Sequence, residues 1–167
     1  MILEQIVLGV ELAMDGKNKI PLKSLLLMLL IHFVFMYLLM YVMVNTFFDI
    51  YPSLEKMYMA ILMTIPMFIL EILFMGSMYR IKNKFFLIAI SIFLFVLTFT
   101  FIRKQIFIKD KQFLNSMIPH HSAAILMCKK VSLEDEEIKD LCENIISSQQ
   151  SEIDQMKQIL ERINKNE

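Results

Sequence analysis

The chain has 167 residues, 57% of them hydrophobic, with 17 basic and 17 acidic side chains and a formal net charge of zero. Its mean hydropathy of +0.57 is too high for an ordinary soluble domain and points to membrane spans. The balanced charge suggests no nucleic-acid partner, and three glycines are few for a phosphate-binding loop.

Met1–Met14 mixes Glu4 and Glu11 with aliphatic residues and reads as an interfacial helix within an N-terminal segment, residues 1–23. It lacks a basic region before an apolar run and a small-residue cleavage site, so no cleavable signal peptide is expected. Gly16 and Pro21 separate it from three apolar runs: Ser24–Val44, Met57–Tyr79 and Phe85–Ile102. Each is near the roughly 20 residues that a helix needs to cross the hydrocarbon core, so residues 24–103 read as a three-span membrane domain. Asn45–Lys56 forms the first loop and Arg80–Lys84 the second.

Lys17, Lys19 and Lys23 precede the first span, and Arg80, Lys82 and Lys84 lie in the second loop. This asymmetry puts the N-terminus and second loop in the cytoplasm and residues 104–167 outside, in a multi-pass protein of the cell membrane. Arg103, Lys104, Lys109 and Lys111 run against that orientation.

From Lys109 the period is helical. Asp110 can cap a helix through about Lys130. Ser132-Leu133-Glu134-Asp135 fits a capping box for a second helix, to about Asn164. Its seam reads Ile138, Cys142, Ile145, Gln149, Glu152, Met156, Ile159, Ile163, in steps of four and three. The fold class is all-α: three transmembrane helices followed by an antiparallel hairpin.

The hairpin carries the donor-rich stretch. Met117 and His121 share a face four residues apart, and His120 shares its face with Ala124 and Met127. A bend at Pro119 would turn both imidazoles toward one partner helix. Thioether and imidazole donors suit soft or borderline ions. Equally, the histidines are a partly buried, hydrogen-bonded pair. Glu152 in the seam needs a cation, a hydrogen-bond partner or water. Counted from a turn near Ser132, Met117 is level with about Gln149 and His121 with Cys142 to Ile145, while Glu152 and Met156 lie further toward the membrane. By the same count Cys128 and Cys142 are at different heights, so an intrachain disulfide is not expected; pairing between subunits stays open, and Cys128 reads as a small packing residue.

Within the spans, Met28, His32, Met36 and Met40 form one four-spaced ridge, and Met59, Met63, Met67, Glu71 and Met75 another. Methionine is a common apolar filler, and such ridges also suit passage of Cu(I) or Ag(I). His32 and Glu71 are expensive inside a span. Both lie about nine residues from the cytoplasmic ends of antiparallel spans, which predicts a His32–Glu71 contact.

Asp110, Phe113, Met117-Ile118-Pro119-His120-His121, Ala124-Ile125 and Met127, followed by Ile145-Ile146, Gln149, Glu152-Ile153 and Met156, resemble the domain-of-unknown-function family 305. This is a ferritin-like helical family, and the apolar front end looks like its membrane-anchored branch. The resemblance spans about Asp110 to Leu160. It implies a helical bundle outside the cytoplasm that handles copper or silver, with Met117, His120, His121, Gln149, Glu152 and Met156 as metal ligands. Soluble members commonly carry two hairpins, so one hairpin implies a homodimer.

Without a phosphate loop, nucleophile elbow or zincin motif, no enzyme is expected. Three functions remain: an envelope protein binding copper (Cu(I) or Cu(II)) or another soft metal, an interaction module that oligomerises through the hairpin, and a small transporter using the span ridges.

Overall fold

The computed structural model describes residues 22–76, 79 and 83–166. The expected interfacial helix, Met1–Met14, lies outside them, as does most of Arg80–Lys84. Among the described residues the fold is all-helical. It comprises α1 (Leu22–Leu39), a 3₁₀ turn (Phe47–Asp49), α2 (Leu54–Met75), α3 (Lys84–Arg103), α4 (Asp110–Lys130) and α5 (Glu136–Asn166).

Two of these helices, α2 and α3, are long and apolar enough to cross a membrane, so the expected three spans reduce to two. Helix α1 is apolar but stops at Leu39 rather than Val44. Tyr41 N and Val42 N bond back three residues, to Leu38 O and Leu39 O, closing tight turns instead of the helical ladder. The Tyr41 hydroxyl donates to the Tyr51 carbonyl, holding that turn against the first loop. Its 18 residues span about 27 Å, short of the roughly 30 Å hydrocarbon core. Helix α2 ends at Met75, short of the expected Tyr79. At Gly76 a Cβ would sit 2.1 Å from the Ile72 carbonyl oxygen, so the chain turns where only glycine fits.

By contacts the chain forms two compact units. One joins the described residues up to Met36 to Ile61–Thr100; the other joins Tyr37–Ala60 to the described residues from Phe101 onward. The second unit contains α4 and α5, which pack as an antiparallel pair. Leu114, Ile118 and Ile125 of α4 meet Ile153 and Leu160 of α5, with Ile146, Met156, Ile159 and Ile163 alongside. Each fully buried aliphatic side chain contributes about 1.5–3 kcal/mol. The seam is therefore centred on Ile153 and Leu160, and Ile138 at its expected start is 47% exposed. Glu152, expected in the seam, sits on its open edge.

The hairpin differs from expectation in three ways. Asp110 is the first helical residue and Lys109 occupies the cap position. Helix α5 starts four residues after Ser132, and its cap is Asp135, whose carboxylate accepts the Ile138 N–H at 3.1 Å. Cys128 and Cys142 form an intrachain disulfide, their Cα atoms 5.3 Å apart. The tight turn expected near Ser132 is absent: Val131 is extended, and Ser132–Asp135 are neither helix nor turn. A non-helical residue can advance up to about 3.3 Å against about 1.5 Å in a helix, so these five residues carry α5 further from the end of α4 than a tight turn would. Two residues of α4 past Cys128 are then level with six residues of α5 before Cys142. The same offset brings His121 level with about Gln149, rather than with Cys142 to Ile145.

The first loop docks on this hairpin. Gln112 Oε1 accepts the Leu54 N–H at 2.8 Å, so α4 caps the start of α2. Asn115 Nδ2 donates to the Pro52 carbonyl at 3.1 Å. The link from α3 to α4 is tight: Gln105 and Phe107 adopt φ of 50° and 63°. Each left-handed residue costs about 1–2 kcal/mol, offset here by Tyr58 donating to Ile106 O and by Phe107 packing edge-on to Phe101.

Candidate functional site

The donor stretch lies in the middle of α4, which runs without interruption through Pro119. Ile118, Pro119 and Ser122 are buried, which turns His121 to the edge of the α4–α5 contact and leaves His120 exposed. The two imidazoles are thus not directed at one point: their centroids are 6.0 Å apart and their planes inclined at 59°. His121 Nδ1 approaches Glu152 Oε2 to 3.1 Å. That nitrogen is buried, yet no partner is aligned for a hydrogen bond. Burial pulls the His121 pKa below its ordinary value and His120 adds to this, while Glu152 opposes it. The imidazole is therefore neutral near pH 7, with a lone pair to offer.

Glu152 is half-exposed, and Gln149 lies one turn before it on α5, partly buried. Met156, one turn after Glu152, packs against the hairpin core. Met117, one turn before His121, is partly buried. Among the described residues no three His, Cys, Asp or Glu side chains are grouped to hold a metal ion. With both thiols in the disulfide, imidazole, thioether, amide and carboxylate are the donors along this edge.

A buried carboxylate beside this edge was not anticipated. Asp49, 6% exposed, accepts hydrogen bonds from Ser122 Oγ at 2.7 Å, Thr46 Oγ1 at 2.9 Å and Lys157 Nζ at 2.6 Å. Ser122 Oγ in turn accepts the Asn45 N–H at 2.9 Å. Burial pushes the Asp49 pKa up, but the bonds from Lys157, Ser122 and Thr46 and the lysine charge outweigh it and hold the carboxyl below its ordinary range. One loop residue therefore ties α4 to α5 directly beside His121 and Met156. A lone acid among aromatics, Phe47-Phe48-Asp49-Ile50-Tyr51, was the available signal.

In the other unit, His32 and Glu71 line one cavity, as their shared depth predicts. No hydrogen bond joins them. Glu71 accepts from the Tyr79 hydroxyl, and His32 Nε2 has no partner among the described residues. The predicted contact is thus replaced by a shared cavity, because Tyr79 occupies the carboxylate.

Residues 105–163 match the family described as Domain of unknown function (DUF305). A stretch of 50 residues is 52% identical to "Uncharacterized protein L153" of Acanthamoeba polyphaga mimivirus, covering 29% of this chain and 33% of that protein. The match therefore spans a third of the relative's length. No solved structure matches.

Proposed function

We propose that the protein is a membrane-anchored binding protein whose hairpin holds a soft or borderline metal ion of the copper or silver class, for homeostasis or tolerance rather than catalysis. The observation that carries this reading is His121: a partly buried, neutral imidazole whose buried Nδ1 lacks an aligned partner and faces Glu152 at 3.1 Å. A bound cation would take up that lone pair and the carboxylate charge together. Met117 and Met156, one turn away on either helix, would add thioethers and Gln149 an amide oxygen, while His120, exposed and turned from this edge, stands outside the set. Helices α2 and α3 anchor the protein in the lipid bilayer. The hydrogen bonds from the first loop to α4 suit a hairpin and loop on one side of the membrane, and the disulfide favours an oxidising compartment outside the cytoplasm.

The test is titration of the full chain in detergent with Ag(I) and Cu(I), beside His120→Ala/His121→Ala. Tight binding to the parent that the double variant loses supports the reading; binding that survives, or none at all, overturns it.

A second reading rests on Met127, Val131, Ile138 and Leu141, which are 47–56% exposed around the disulfide-bonded turn. There a second copy would complete a homodimeric four-helix bundle. Light scattering of an Ile138→Lys/Leu141→Lys variant tests this: a dimer that becomes monomeric supports self-association, and an unaltered state rejects it.

A further inference from the structure

The cavity between α1 and α2 has a volume of about 320 Å³ and an almost wholly apolar lining. Its lining carries three polar side chains, His32, Thr64 and Glu71, and the thioethers of Met28, Met67 and Met75. Met28 and His32 are one turn apart on α1; Met67, Glu71 and Met75 are successive turns on α2, so two helical faces converge. Buried polar atoms are normally paired, and an unpaired one is costly. His32 Nε2 is buried and unpaired among the described residues, whereas Glu71 is held by Tyr79.

Three kinds of occupant can be compared. Water needs two to four polar partners; of the three polar side chains here, Glu71 is held by Tyr79 and Thr64 has an interaction of its own. A purely apolar molecule, such as a lipid chain, leaves the imidazole nitrogen unpaired. A soft monovalent cation suits the imidazole lone pair, the three thioethers and a carboxylate counter-charge together. Methionine side chains are long and rotatable enough to close on an ion from the walls of a cavity this size.

We propose that this cavity is a binding site for a soft monovalent cation, Cu(I) or Ag(I), with His32 and the thioethers of Met28, Met67 and Met75 as ligands and Glu71 as counter-charge. It is separate from the hairpin edge and does not rest on that reading. Such a site in the apolar segment gives the cation a place to lose its water within the bilayer.

The experiment uses the full chain in nanodiscs, carrying His120→Ala/His121→Ala/Glu152→Gln to silence the hairpin. Ag(I) is titrated by isothermal calorimetry, and retained silver is counted after desalting. One retained equivalent is expected. It should fall at least tenfold in affinity when Met28→Leu/Met67→Leu/Met75→Leu is added, a set that conserves volume and so leaves the fold unaltered. His32→Asn, which keeps a polar group, should also lower affinity, and X-ray absorption should show sulfur and nitrogen around silver. No retained silver in the hairpin-silenced protein, or equal retention by the leucine variant, overturns the proposal. Unaltered helicity by circular dichroism separates loss of ligands from loss of fold.

Discussion

Replacement of Asp49 by Asn should loosen the hairpin. The side chain keeps its size and one oxygen acceptor, so Thr46 and Ser122 retain a partner, but the charge opposite Lys157 is lost. Hydrogen bonds to charged groups contribute about 1.5–3 kcal/mol, and truncating one partner of a buried ion pair costs about 3–5 kcal/mol. The Asp49 side chain is 8% exposed, which favours the upper range, whereas Lys157 at 28% can swing into water, which favours the lower. The expected loss is about 2–3 kcal/mol for Asn, and about 3–5 kcal/mol for Ala, which also strands the Ser122 hydroxyl. Amide hydrogen exchange of α4 and α5 reads this directly. At about 1.4 kcal/mol per tenfold, protection should fall roughly 30- to 150-fold in the Asn variant. A Lys157→Met variant and the double variant complete a cycle, with an expected coupling of about 1–3 kcal/mol. Protection within twofold of the parent in Asp49→Ala would refute the view that this carboxylate clamps the two helices.

Acid should weaken the hairpin in two windows. His121 has a folded pKa below its unfolded value of about 6.5, so stability falls as pH drops from there, and His121→Gln should flatten that limb of a thermal-melt series. Asp49 has a depressed folded pKa, so its contribution is complete above about pH 4 and is lost below, as pH falls through the folded value. Cys128→Ser/Cys142→Ser should lower stability by about 3 kcal/mol, the loop-entropy value for a separation of 14, measured by exchange and checked by free-thiol counting. Ile153→Ala, at a site with 0% exposure, should cost about 2–5 kcal/mol in the same assay, against under 0.5 kcal/mol for exposed Gln158→Ala.

The helices were legible because each is a local property. Unbroken apolar runs announced α2 and α3 nearly to the residue at Phe85–Ile102, and the period that begins at Lys109 ended at Lys130 as read. What was not legible was register. Whether His121 meets Ile145 or Glu152 depends on how far the chain travels between Lys130 and Glu136, and nothing periodic in Val131–Asp135 reports that it is not a tight turn. The same unknown concealed the disulfide. The Asp49 network was hidden for a different reason: its partners Ser122 and Lys157 lie 73 and 108 residues away, and a single acid in a loop carries no pattern. The donor residues could be named from the sequence, but not which of them face one another.

The clamp and the donor edge are built from neighbouring residues, and this would tie the proposed metal affinity to a group that touches no metal. Ser122 follows His121 on α4, and Lys157 follows Met156 on α5. Helical neighbours point about 100° apart, so when Ser122 and Lys157 turn to Asp49, His121 and Met156 are rotated to the adjacent edge. The Asp49 carboxylate thereby sets the rotation of both helices at the level where the proposed ligands lie. Supporting residues of this kind typically change metal affinity by 10- to 100-fold through ligand orientation. In Asp49→Asn the Ag(I) dissociation constant of the hairpin edge should rise by about tenfold, while X-ray absorption reports the same nitrogen and sulfur ligation. His121→Ala should change the ligation itself, removing the nitrogen contribution. If Asp49→Asn loosens the hairpin by exchange yet leaves the silver affinity unmoved, the clamp holds the fold without orienting the donors, and His121 meets its ion by its own flexibility.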